Sequence, residues 1–146
     1  MDKNSVYNQL FKDLSALLEG ETDQVARMAE AAALIYERTG FFWVGFYRVK
    51  GDSLVLGPFQ GPAACLRIAR GRGVCGTAWD KGSTIVVRDV EEFPGHIACS
   101  SLSRSEIVVP LVRDGLVTAV LDIDSMSVGT FTAEDAEWLE KIASII

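Results

Sequence analysis

Apolar residues at Val6, Leu10, Leu14 and Leu18 recur every four positions, with Phe11 and Leu17 widening the stripe. That spacing predicts an amphipathic helix over 5–18, ended by Glu19-Gly20. A second helix is predicted from Thr22-Asp23, whose side chains suit an N-cap, through Val25, Met28, Ala29, Ala32, Ile35 and Tyr36 to a stop at Gly40. The period then changes from helical to alternating. Residues 41–49 are rich in aromatic and β-branched side chains, and Lys50-Gly51-Asp52 turns the chain into a second strand over 53–56. Pro58, Gly61, Pro62, Gly71, Gly73, Gly76 and Gly82 make 57–83 a stretch of loops around short elements, with a short helix near 76–81. A brief strand at 84–87 and an irregular crossing loop over 89–105 follow. The strongest strand patterns are 106–112 and 116–124, joined by the turn Arg113-Asp114-Gly115. Thr132 and Asp135 have the spacing of a capping box, opening a closing helix with Leu139, Ile142 and Ile146 whose apolar face is still unfinished at the last residue. Strands met mainly through hairpins, with helices at both ends, predict an α+β (or α/β) architecture: a central antiparallel sheet with helices packed on it, as one domain over 1–146.

Composition narrows the function classes. With 49% hydrophobic residues in 146, the chain can bury a core without disulfide staples, so its three cysteines are free for other work. An odd cysteine count, with no secretory leader pattern in Met1-Asp2-Lys3-Asn4, gives a cytoplasmic location and reduced thiols as the expectation. A net charge of -6 disfavours nucleic acid as a partner, because such binding draws on clustered Lys and Arg. The one basic cluster, Arg67, Arg70 and Arg72, reads either as a seat for an anionic group or as a solvated loop. No apolar run approaches the roughly 18 to 20 residues that span a bilayer, so no membrane association is expected.

Candidate chemistry begins with the acids. Alternation puts Asp122 and Asp124 on one strand face with Val120 and Thr118, and Val117, Ala119, Leu121 and Ile123 on the other. A three-residue loop ending in a left-handed Gly115 would set Glu106 opposite Asp122, bringing three carboxyls together and raising at least one pKa. A two-residue Asp114-Gly115 turn would separate them, and the acids also read as ordinary strand-ending residues. In the first strand, Trp43, Gly45 and Tyr47 share a face opposite Phe42, Val44 and Phe46. The gap at Gly45 could admit a methyl, a thioether or a cation between two rings, or the rings could simply be core.

Cys65, Cys75 and Cys99 lie among small residues, Cys65 and Cys99 in predicted loops near Arg67 and His96, which could lower a thiol pKa. Buried, inert cysteine is the alternative for each. A zinc site from the three cysteines and His96 lacks close CxxC pairs, and a Cys99–His96 pair lacks an orienting third group, so no metal or cofactor is expected.

The ordered set Gly57-Pro58-Phe59-Gln60-Gly61 leading to Ala64-Cys65, Gly71-Arg72-Gly73-Val74-Cys75-Gly76-Thr77-Ala78, Gly95-His96-Ile97-Ala98-Cys99, Ser105-Glu106-Ile107-Val108-Val109-Pro110-Leu111 and Leu121-Asp122-Ile123-Asp124-Ser125 resembles the free methionine-(R)-sulfoxide reductases, which are GAF-domain enzymes. The resemblance implies a GAF-like fold and reduction of free, not protein-bound, methionine-R-sulfoxide. It implies Cys99 as the attacking thiolate, Cys65 as the resolving thiol that closes a disulfide, and Cys75 as an auxiliary thiol. Glu106, Asp122 and Asp124 become the acidic substrate-binding residues, and Trp43 and Tyr47 the wall around the substrate methyl. A thioredoxin-like reductant and a homodimer are implied as partners. A ligand-binding GAF sensor and a thiol redox switch without turnover are the rival readings.

Overall fold

The computed structural model of the chain describes residues 2–97 and 99–146; Ala98, quoted in the motif ending at Cys99, lies outside the described residues. In chain order the elements are α1 (Lys3–Leu18), α2 (Gln24–Thr39), β1 (Trp43–Lys50), β2 (Ser53–Gln60), β3 (Arg67–Ala69), α3 (Gly73–Lys81), β4 (Ile85–Val87), a 3-10 turn (Val90–Glu92), β5 (Ser105–Arg113), β6 (Leu116–Ser125) and α4 (Ala133–Ala143). The helix ends follow local chemistry. Asp23 accepts from the Ala26 N–H at 3.0 Å, and Gly40, left-handed at φ 71°, donates its N–H to the Tyr36 carbonyl. At α4, Asp135 accepts from the Thr132 N–H at 2.8 Å. Fully buried Asp135 also accepts from the Tyr7 hydroxyl and from Lys3 Nζ, each at 2.7 Å, tying α1 to α4.

The six strands form one antiparallel sheet in the order β3-β2-β1-β6-β5-β4. Its two faces bury separate cores. On one, Val44, Phe46, Ile107, Leu121 and Ile123 meet the apolar stripes of α1, α2 and α4. On the other, Trp43, Tyr47, Val108 and Val120 meet Ile68 of β3 and Val74, Ala78 and Trp79 of α3. The second face carries the site.

Two bulges change what simple alternation predicts. The β5–β6 turn has two residues, Asp114 (φ 52°) and Gly115 (φ 77°), so Arg113 pairs with Leu116 and Val112 with Val117. One extra residue, Thr118, then shifts the ladder to Leu111–Ala119 and onward to Val108–Asp122 and Glu106–Asp124. Neither expected register is correct: the two-residue turn is present, yet the bulge restores parity and returns Glu106 to the face of both aspartates. The same insertion moves Val117 onto the site face, against the expectation. In β2 the residues expected as loop beyond Leu56 continue the strand to Gln60, with Gly45 opposite Phe59 and Tyr47 opposite Leu56 across a second bulge. β3 pairs only with Ser53, Leu54 and Val55, so Pro58 lies beside a free edge and its missing N–H breaks no ladder bond there.

Candidate active site

The sheet's second face brings together all eight residues singled out from the sequence. Glu106 on β5 and Asp122 and Asp124 on β6 are buried side by side. Trp43, Tyr47, Cys75, Cys99 and the three acids line one cavity, roofed by the segments around Ala63 and His96. Its free volume is about 40 Å³, room for a few water molecules.

The carboxyls cannot all be charged. Burial pushes Glu106 well above the usual glutamate range, and the charges of Asp122 and Asp124 push it further. Asp124 is also held well above its usual range, by burial and then by the Asp122 charge. Burial raises Asp122 too, partly offset by the neighbouring Glu106 and Cys75 side chains, which favour its charged form. The cluster therefore holds protons to higher pH than free carboxyls do. His96 Nε2 lies 3.9 Å from Glu106 Oε1, too far for a hydrogen bond. Burial lowers the His96 pKa, so this contact joins two groups that both lean neutral rather than an ion pair.

The aromatics form a braced wall. Trp43 stacks on Tyr47 at 6.1 Å and on Phe59 at 5.3 Å between ring centroids. The expected gap at Gly45 is filled: the edge of the Trp43 ring and Phe59 occupy the space where a side chain would stand. Phe42, assigned to the opposite face, lines the cavity instead, because it precedes β1 and escapes its alternation. The polar ends of the wall hold the chain above it. Trp43 Nε1–H donates to the Pro62 carbonyl at 3.0 Å and the Tyr47 hydroxyl to the Cys65 carbonyl at 2.9 Å.

That segment carries Cys65, which is joined to Cys99 in a disulfide across 34 residues of sequence. Cys75 remains a buried free thiol on α3, its pKa pushed well up by burial and then by the neighbouring carboxylates. Its Sγ lies 4.0 Å from Glu106 Oε2. Such a thiol is a poor nucleophile in this arrangement, because thiolate formation beside three acids is opposed.

Of the basic cluster, Arg72 alone reaches the cavity lining; Arg70 pairs with Asp80 at 3.1 Å. Ile68 and Val74 also line the cavity and were not among the expected residues. They come from β3 and α3, elements too short to impose a readable period on a Gly- and Pro-rich stretch.

Residues 13–146 match the family described as GAF domain. A relative from Escherichia coli (strain K12), called free methionine-R-sulfoxide reductase, is 49% identical over 145 residues, spanning 99% of this chain and 88% of that protein. A protein of the same description from Saccharomyces cerevisiae is 39% identical over 155 residues, spanning 100% of this chain and 86% of its own. The X-ray structure of free methionine-R-sulfoxide reductase from Neisseria meningitidis, in complex with its substrate, matches with a TM-score of 0.98 at 53% identity, over 99% of this chain and 88% of that one.

Proposed function

This chain belongs to the GAF-domain family and, within it, to the free methionine-R-sulfoxide reductases, and from that premise we propose that it reduces the free sulfoxide with Cys99 as the attacking sulfur. The observation that carries the reading is the Cys65–Cys99 disulfide at a cavity whose wall holds three proton-sharing acids. In the reduced enzyme the Cys99 thiolate attacks the sulfoxide sulfur while a carboxylic acid among Glu106, Asp122 and Asp124 protonates the oxygen. The S–O bond breaks, methionine leaves, and Cys99 retains the oxygen as a sulfenic acid. The Cys65 thiol displaces that oxygen as water and closes the disulfide. One sulfoxide and two thiols thus become one thioether, one disulfide and one water. A thioredoxin-like dithiol returns the disulfide to two thiols and is itself oxidised. Cys75 has an auxiliary part.

The acids also suit the substrate's ammonium, and Trp43 and Tyr47 its methyl. A peptide-bound methionine sulfoxide has no ammonium to offer and more chain than the roofed cavity admits, which restricts the substrate to the free amino acid. A homodimer in the cytoplasm belongs to the same reading. No helix among the described residues is long and apolar enough to cross a membrane.

Turnover tests the reading. With dithiothreitol as reductant, the R epimer of free methionine sulfoxide should yield methionine and the S epimer should not. Cys99→Ser should abolish the reaction, while Cys65→Ser should still release close to one equivalent of methionine in a single turnover. Consumption of neither epimer, or steady turnover by the Cys99 variant, would overturn the assignment.

A further inference from the structure

Cys75 is the one cysteine without an obligatory step in that reaction, and the disulfide leaves it free. Its Sγ and one oxygen each from Glu106 and Asp122 all lie within 4.8 Å of one another, and all three residues are buried. A second feature is independent of that clustering. Asp122 is 6% exposed, and its Oδ1 has no hydrogen-bond partner among the described residues. A buried acceptor left unpaired is costly, so the site favours anything that supplies it with a positive partner.

We propose that Cys75, Glu106 and Asp122 form a binding site for a zinc-class divalent cation, and that an ion bound there excludes the sulfoxide substrate. The donor set selects the metal. Magnesium and calcium require six or more oxygen ligands, whereas a thiolate with two carboxylates suits a borderline-soft, four-coordinate ion. Zinc–sulfur and zinc–oxygen distances of about 2.3 and 2.0 Å place the donors about 3.5 Å apart in a tetrahedron. The 4.0 Å between Cys75 Sγ and Glu106 Oε2 therefore needs to close by only about half an ångström. The fourth position faces the cavity and takes water. Binding releases the Cys75 thiol proton and whatever proton the two carboxyls share, so the dication replaces protons and relieves the like-charge crowding.

This set differs from the cysteine and histidine combination weighed from the sequence, two of whose sulfurs the disulfide consumes. It survives in the oxidised protein. Inhibition, unlike binding, rests on the proposed reaction, since Glu106 and Asp122 cannot hold a cation and serve the substrate together.

The test uses the full chain with the Cys65–Cys99 disulfide closed, so that Cys75 is the only thiol. Cadmium titration should produce an ultraviolet thiolate-to-cadmium charge-transfer band that saturates at one equivalent and is reversed by zinc. Cys75→Ser should abolish the band. Glu106→Gln should keep it but weaken binding about tenfold or more, in line with losing one ligand of the ion. Lowering the pH from about 7.5 to 6 should weaken binding in the wild type as protons compete for the donors. No band in the wild type, a band that survives Cys75→Ser, or an affinity unmoved by Glu106→Gln would overturn the site. With the reduced enzyme, zinc should inhibit methionine formation competitively with the sulfoxide. A site that binds cadmium as expected beside zinc-insensitive turnover would overturn the inhibitory role, whereas an enzyme without turnover would sink the reaction and leave the site standing.

Discussion

The Trp43 indole is wedged between two glycines. A Cβ added at Gly45 would lie 2.5 Å from the indole ring and collide with Phe59, and one added at Gly61 would lie 2.7 Å from the indole's other edge. Gly61 also has φ 127°, where other residues are strained, whereas Gly45 is restricted by contact alone. Gly45→Ala should therefore act by pushing the ring off the sheet. The expected outcome is a loss of about 1–3 kcal/mol in urea unfolding, the ordinary cost of overpacking. Because the displaced ring is the wall beside the acids, KM for the sulfoxide should rise as well. Arg72 is the residue-scale feature with the opposite character, exposed and outside every ion pair found among the described residues. Beside the three acids proposed to take the ammonium of a free amino acid, an unpaired guanidinium at the same cavity suits the α-carboxylate. Arg72→Met should raise KM for the free sulfoxide about tenfold, the scale of one charge-assisted hydrogen bond, with much less effect on the corresponding amide. Equal loss on acid and amide, measured side by side, would assign Arg72 to holding the start of α3 rather than to the substrate.

At the scale of elements the β5–β6 hairpin decides whether the acids meet. Its turn residues, Asp114 and Gly115, both have positive φ, and the twist of such a turn matches that of the strands. Gly115→Ala places a Cβ at φ 77° and should cost about 1 kcal/mol in unfolding, with kcat unchanged because the turn lies at the far end of the hairpin from Glu106 and Asp124. A fall in kcat would mean that the register itself had slipped. The turn was legible from Asp114-Gly115, and so were the capped helices, whose start and stop residues carry their own chemistry. The Thr118 bulge was not legible. An inserted residue changes which face every residue before it occupies, yet it leaves no mark in composition, and threonine is ordinary in a strand. Alternation counted back from Asp124 is right as far as Ala119 and wrong at Val117. The Gly57-Pro58 insertion in β2 acts likewise, bringing Phe59 onto Trp43 where a loop was expected. Acids, aromatics and cysteines of the site were visible because each interrupts a local pattern. Ile68 and Val74 interrupt nothing and enter the cavity through tertiary packing alone.

Across the whole molecule, the sheet separates a helix-covered core from a face that keeps three carboxyls out of water, and this should register in the pH dependence of folding. Unfolded, glutamate and aspartate release their protons near the reference values of 4.5 and 3.8, whereas in the folded chain Glu106, Asp124 and Asp122 hold theirs to higher pH. The folded state thus binds more protons than the unfolded state above about pH 4, and stability falls as pH rises from there towards the elevated folded values. Each proton retained only in the folded state lowers stability by about 1.4 kcal/mol per pH unit within that window. Calorimetry on the oxidised chain should show Tm rising as the pH is lowered from about 8 to 5.5, above the unfolded values. The net charge of -6 pushes in the same direction, so the slope by itself does not isolate the cluster. Glu106→Gln does: the amide cannot titrate, and with one carboxyl fewer the aspartates lose a like-charged neighbour, so the slope should flatten. An unchanged slope in that variant would mean that the acids carry no excess protons in the fold, and with them would go the proton source of the proposed reaction.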